Sequence, residues 1–178
     1  ESTVEIEELF DAWEKFNKDE LNFLLKNINN IKSSILKKEM VSILNEPNKV
    51  PEGFTKNEFD KILIDSLLKL GERKKTFQKI QSLGVFEESN IKNFYEEFTI
   101  NYLLSTYSLS EACDYRRDIK DFSLSEDKNF FLKIDIFCLL LEEKFDEANL
   151  LYSLLLESEQ IKDLYFEKLF NKLQNKYN

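Results

Sequence analysis

Two cysteines, Cys113 and Cys138, are the chain's only thiols, and histidine is missing altogether. Histidine is the commonest general base, the commonest zinc ligand and the side chain that changes charge near neutral pH. Without an imidazole, neither thiol has the usual partner that would activate it as a nucleophile. Two readings of the pair remain. One is a disulfide, which implies an oxidising compartment. The other is two buried thiols acting as small apolar residues. With the intervening turn centred near Phe122 to Leu124, Cys113 lies about ten residues before it and Cys138 about fifteen after, roughly 7 Å out of level along antiparallel helices. A disulfide needs Cα atoms within about 7 Å in all. Reduced, buried thiols are therefore the expected state.

The charged residues offer little more. Glu7 with Glu8, Glu87 with Glu88, Glu96 with Glu97 and Glu142 with Glu143 are adjacent pairs, and adjacent helical residues do not face each other. Neither a paired-carboxylate active site nor a calcium loop has this spacing, so solvated helix surface is expected. Arg73, Lys74, Lys75 and Lys79 form a basic cluster, followed by Arg116 and Arg117. Ordinary surface charge is expected there; the other reading is a strip for an acidic partner or RNA. No phosphate loop, dinucleotide fingerprint, nucleophile elbow or metal-ligand cluster is present. A non-enzymatic chain without cofactor or metal is the expectation.

The elements that would carry these residues are helical. The chain has 178 residues, 42% of them hydrophobic, with 16 Phe and 7 Tyr, enough for a real core. Only 3 Gly and 2 Pro interrupt it, and sheet-rich folds need more turn residues than that. The net charge of −9 disfavours non-specific binding to nucleic acid or anionic lipid. The longest wholly apolar run, Ile136–Leu141, is far short of a membrane span. No signal peptide is visible. The chain starts at Glu1 rather than Met, so an upstream piece, which could include a targeting segment, is expected to have been removed. Cytoplasm and periplasm both stay open.

Ser2 with Glu5 reads as a capping box for a first helix, whose stripe of Val4, Ile6, Leu9, Phe10, Trp13 and Phe16 runs to Asn17. Helices follow at about Lys18 to Ile28 and Ser33 to Leu44, before a break at Pro47, Pro51 and Gly53. Thr55 with Glu58 is a second capping box, and Phe54 can staple onto Phe59. From there the pattern recurs at 36 residues. The shift superposes Phe59, Tyr95 and Phe131; Ile64, Ile100 and Ile136; and Leu68, Leu104 and Leu140. Thr76, Ala112 and Ala148 also align, all small, where two helices approach closely beside a turn. Such a period belongs to helix-hairpin repeats. The pairs are read as Thr55–Leu70 with Glu72–Leu83, closed by Gly84; Asn90–Thr106, capped by Ser89, with Leu109–Ile119; and Glu126–Glu143, capped by Ser125, with Asp146–Glu157. A last helix, about Gln160 to Tyr177, is expected to seal the end with Ile161, Leu164, Tyr165, Leu169 and Leu173.

The pattern resembles tetratricopeptide-type solenoids, with 36 residues where 34 are usual and without the Trp, Gly and Pro signature positions. The stretch Asn129 to Cys138, then Ala148 and Leu154-Leu155-Leu156-Glu157, is more closely similar to a family of uncharacterised alphaproteobacterial helical-repeat proteins. Their segment reads aromatic-aromatic-x-Lys-aliphatic-x-x-Phe-Cys, followed by a small-residue helix ending Leu-Leu-x-Glu. Glu111-Ala112-Cys113 matches their upstream Ala-Cys. The resemblance implies a bacterial α-helical repeat fold and no particular activity.

The expected fold is thus all-α: antiparallel helix-hairpin repeats, a tetratricopeptide-like α-solenoid of about ten helices in a curved right-handed stack. Residues 1–46 carry the N-terminal helices, and residues 54–178 carry three hairpin repeats and a capping helix, as one continuous domain. The expected function is a non-catalytic interaction module or scaffold for a protein or peptide, with neither nucleic acid nor membrane insertion. The other reading is a structural helical segment of a larger enzyme or cell-envelope complex, and a third is an RNA-binding solenoid. A partner is expected on the outward stripe of the first helices: Lys61 and Asp65, then Glu97 and Asn101, then Lys133, Phe137 and Leu141. The last two need a cover, either the final helix or a partner.

Overall fold

A computed structural model describes residues 13, 16–45, 49–83, 89–119, 128–158 and 163–177. Nine α-helices, and no strand, occur among them: α1 (Lys18–Lys26), α2 (Ser34–Asn45), α3 (Lys56–Lys69), α4 (Arg73–Leu83), α5 (Ser89–Ser105), α6 (Leu109–Asp118), α7 (Lys128–Leu141), α8 (Phe145–Ser158) and α9 (Leu164–Tyr177). The expected first helix with its Ser2–Glu5 cap, and the roles of Gly84, Ser125 and Ile161, lie outside the described residues. The chain divides into two compact units, residues 1–87 and 88–178.

The first unit is built on α1, α2 and α3. Asn17 starts α1: its side-chain oxygen accepts from the backbone N–H of Asp19 and of Glu20, both at 3.0 Å, while Glu20 accepts from the Asn17 N–H at 3.1 Å. This capping box satisfies orphan donors at both ends of the turn. Thr55 and Glu58 do the same for α3, at 3.2 and 2.8 Å, and Phe54 meets Phe59 with ring centroids 5.8 Å apart. Leu21 and Leu25 of α1, Val41 and Leu44 of α2, and Phe59, Leu63 and Leu67 of α3 then close one core together with Trp13 and Ile28. A turn at Gly71 leads into α4.

In the second unit, Ile100 and Cys113 pack with Phe131, Ile134 and Cys138. Ile136, Leu140, Ala148 and Leu155 pack with Phe170 of α9. Of the six positions expected deep in the core, Ile64, Ile100, Ile136 and Leu140 are buried, while Leu68 and Leu104 are half-buried. Thr76, Ala112 and Ala148 are fully buried.

Three interhelix turns share one hydrogen-bond pattern. Gly71, Tyr107 and Glu143 all have left-handed backbones, with φ of 78°, 61° and 60°. The following N–H reaches back to a carbonyl five residues earlier each time: Glu72 to Leu67 at 3.0 Å, Ser108 to Leu103 at 2.9 Å, Lys144 to Leu139 at 2.9 Å. This is a Schellman closure of each first helix. Each second helix then opens with an N–H bond of the small residue: Thr76 to Glu72, Ala112 to Ser108, Ala148 to Lys144.

The thiol expectation is corrected: Cys113 and Cys138 form a disulfide, with Cα atoms 5.6 Å apart. Both are buried, as expected. The level estimate failed because it assumed that the two helices start and stop at equal heights about one turn centre. Instead α6 ends at Asp118 and α7 starts only at Lys128. A connection of that length does not fix the helix ends at one level.

Candidate functional site

Among the described residues a concavity lies between α1 and α3. Both helices turn their apolar faces to the same core, Leu21 and Leu25 against Phe59, Leu63 and Leu67, so their outward neighbours face each other across a cleft. On α1 these are Lys18, Asn22 and Lys26, at intervals of four. Lys18 Nζ meets Glu58 at 2.9 Å near the start of both helices, and Lys69 Nζ donates to the Lys26 carbonyl at 3.5 Å near the end of both. The two helices therefore run in the same direction. The groove holds about 350 Å³, and Phe54 and Ile62 supply its apolar side chains. Lys18 Nζ also stands 5.0 Å from the Phe54 ring centroid, a cation–π contact.

Its electrostatics are uneven. Four lysines and two carboxylates line it. Lys18 is matched by Glu58, and Lys61 by Asp65 at 2.6 Å. The Thr55 N–H, followed by Lys18, holds the Glu58 carboxyl down to about 2, so it is ionised at neutral pH. Among the described residues Lys69 reaches a helix-end carbonyl and no carboxylate. Lys26 is exposed and meets no carboxylate among the described residues. The spare positive charge thus gathers at one end.

Two of the expected site residues, Lys61 and Asp65, line this groove. The other five belong to the second unit. Glu97 is half-buried and Asn101 exposed on α5. Lys133 pairs with Asp163 at 3.0 Å, and Asp163 caps α9 by accepting from the N–H of Tyr165 and of Phe166 at 3.0 and 3.1 Å. Phe137 and Leu141 are half-buried against the core that contains Ile100 and Cys138. The stripe's apolar end is therefore partly covered within the second unit. Leu164, Tyr165 and Leu169, expected to seal the end, are instead 60%, 85% and 40% exposed. Leu173 packs against the core as expected, together with Phe166 and Phe170 rather than the other three, and Phe170 stacks on Tyr152 with centroids 4.1 Å apart. The buried stripe of α9 thus runs through Phe166, Phe170 and Leu173, and Leu164, Tyr165 and Leu169 lie beside it.

Several charges expected on the surface are buried. Arg116 is 5% exposed; it bonds Asp135 at 2.7 Å and the Ile119 carbonyl at 3.2 Å, and lies 5.4 Å from the Phe131 ring centroid. Lys79 is buried near Asp60, and desolvation disfavours the charged form of each. Glu96 is buried too, and desolvation raises its carboxyl above the ordinary 4.5 despite Lys92. The basic strip is thereby corrected: Lys79 and Arg116 stitch helices together. Arg117 stays outside, bridging Asp114 and Glu142. A single sequence does not show which neighbouring helix a charge will meet, so these pairs carried no signal.

No protein-family model matches the chain, and neither a curated protein nor a solved structure does. Among the described residues no helix is long and apolar enough to cross a membrane.

Proposed function

We propose that the chain is a non-catalytic interaction module of the helix-hairpin repeat type, which holds a protein or peptide in the groove between α1 and α3. The groove carries this reading. It combines apolar side chains, fixed ion pairs and unmatched charge, the mix that orients a ligand as well as burying it. Its walls are helices packed on a common core, so the site is pre-formed and binding orders little of the protein. The three like-bonded turns at 71, 107 and 143 support a tetratricopeptide-like stack, and stacks of this kind commonly serve as scaffolds. The resemblance to the alphaproteobacterial repeat family is compatible with this function and adds no activity. The disulfide favours an oxidising compartment.

A displayed library of random seven-residue peptides, panned on the full chain, tests the reading. Asn22→Trp places a large ring in the groove mouth without touching the core. Selected peptides should bind the parent and lose the variant. Peptides that bind both equally, or no enrichment at all, would end the claim for this groove.

A further inference from the structure

We infer that the α1–α3 groove selects an extended acidic peptide of about four residues, with an apolar side chain on Phe54 and Ile62 and a carboxylate at Lys26 and Lys69. The inference rests on the docking reading above and names its ligand. Length comes first. Lys18 and Lys26 stand at the two ends of α1, which at 1.5 Å per residue are about 12 Å apart. An extended peptide rises about 3.3 Å per residue, so about four residues span the groove.

Charge then selects among such peptides. The chain carries −9 overall, yet lysines outnumber carboxylates four to two along this groove. Lys18 and Lys61 are held by Glu58 and Asp65. The surplus is therefore local, on Lys26 and Lys69 at the shared C-terminal end of the two helices. Helix C-termini repel carboxylates of the chain itself and attract cations, which explains why lysines stand there. It also means that both ammonium groups are needed to outweigh two helix ends. At the other end Glu58 is ionised and would repel a second acid placed close to it. The site is thus polar in direction: acid at the Lys26 end, apolar side chain beside Ile62. A phosphate polymer fits poorly, because Glu58 and Asp65 would face its repeating charges. A second copy of this chain is disfavoured by mutual repulsion of two −9 molecules.

Fluorescence anisotropy on the full chain decides it, with a labelled four-residue probe that carries leucine at one end and two glutamates at the other, and a control in which lysines replace the glutamates. The acidic probe should saturate, weaken as salt rises, and lose about tenfold in affinity with Lys26→Glu/Lys69→Glu, about 1.4 kcal/mol, within what two exposed ion pairs contribute. Both lysines are exposed, and the circular dichroism of the variant should match the parent; Lys26→Gln/Lys69→Gln gives a milder second test. Equal binding of the two probes, or no loss in either variant, overturns the inference. Groove-dependent library peptides without acidic residues would overturn it too while sparing the docking reading, whereas a library with no groove-dependent peptide ends both. Sedimentation showing a dimer that the double charge reversal dissolves would assign the groove to a second copy and also overturn it.

Discussion

Opening the Cys113–Cys138 bond should destabilise the second unit strongly without unfolding it at room temperature. The two cysteines are 25 residues apart, and the entropy of closing a loop of that size in the unfolded chain corresponds to about 3.5 kcal/mol. The bond joins α6 to α7, which Arg116 with Asp135 and the packing of Ile119, at the end of α6, in one core with Phe131 and Ile134 also hold together. Some contacts therefore survive reduction. For a chain of this size a loss of 3.5 kcal/mol lowers Tm by about 10 °C. The assay is a thermal melt followed by circular dichroism, with and without dithiothreitol, paired with Cys113→Ala/Cys138→Ala. Thiol titration in denaturant should find no free thiol before reduction and both after it. Two reactive thiols in the unreduced chain, or a melt that reductant leaves unmoved, would refute the reasoning.

Two further outcomes follow from local geometry. Gly71→Ala places a side chain on a left-handed backbone where its Cβ meets nothing within 4 Å, so the cost is conformational alone, about 1 kcal/mol after the entropy lost by the unfolded glycine is offset; urea unfolding that shows no shift would contradict the Schellman closure. Tyr107→Gly should do the reverse, stabilising by up to about 1 kcal/mol, since Tyr107 is 89% exposed at φ 61°. Burial raises the Glu96 carboxyl above 4.5, so its contribution to stability is present below pH 4.5 and is lost as pH rises through the raised value. Glu96→Gln should therefore gain on the parent in Tm as pH climbs through that range, and a pH-independent difference would show that Glu96 is not the group responsible.

Local signals in the sequence were reliable where one residue type serves one backbone need. The Thr55–Glu58 box, the Phe54 staple and the break before them give the start of α3, and the small residues 76, 112 and 148 mark three close approaches. The left-handed turn position was legible only at Gly71, because Tyr107 and Glu143 occupy it against their steric preference. Asn17 with Glu20 is as plain a capping box as Thr55 with Glu58, but it directly follows an apolar stripe that continues to Phe16, so the pattern alone does not mark a new helix there. Half of the groove was found through Lys61 and Asp65. Its other wall was not, because the approach of α1 to α3 depends on the packing of Leu21 and Leu25, which spacing alone does not orient. The disulfide and the buried Arg116 likewise depend on how far one helix slides along another.

The most direct test of the docking account is amide chemical-shift mapping on the isotope-labelled chain, titrated with the acidic probe. Shifts concentrated in Lys18–Lys26 and Glu58–Lys69, and absent in Lys26→Glu/Lys69→Glu, are the expected result. Saturable shifts that avoid both helices, or that persist unchanged in the variant, would contradict it.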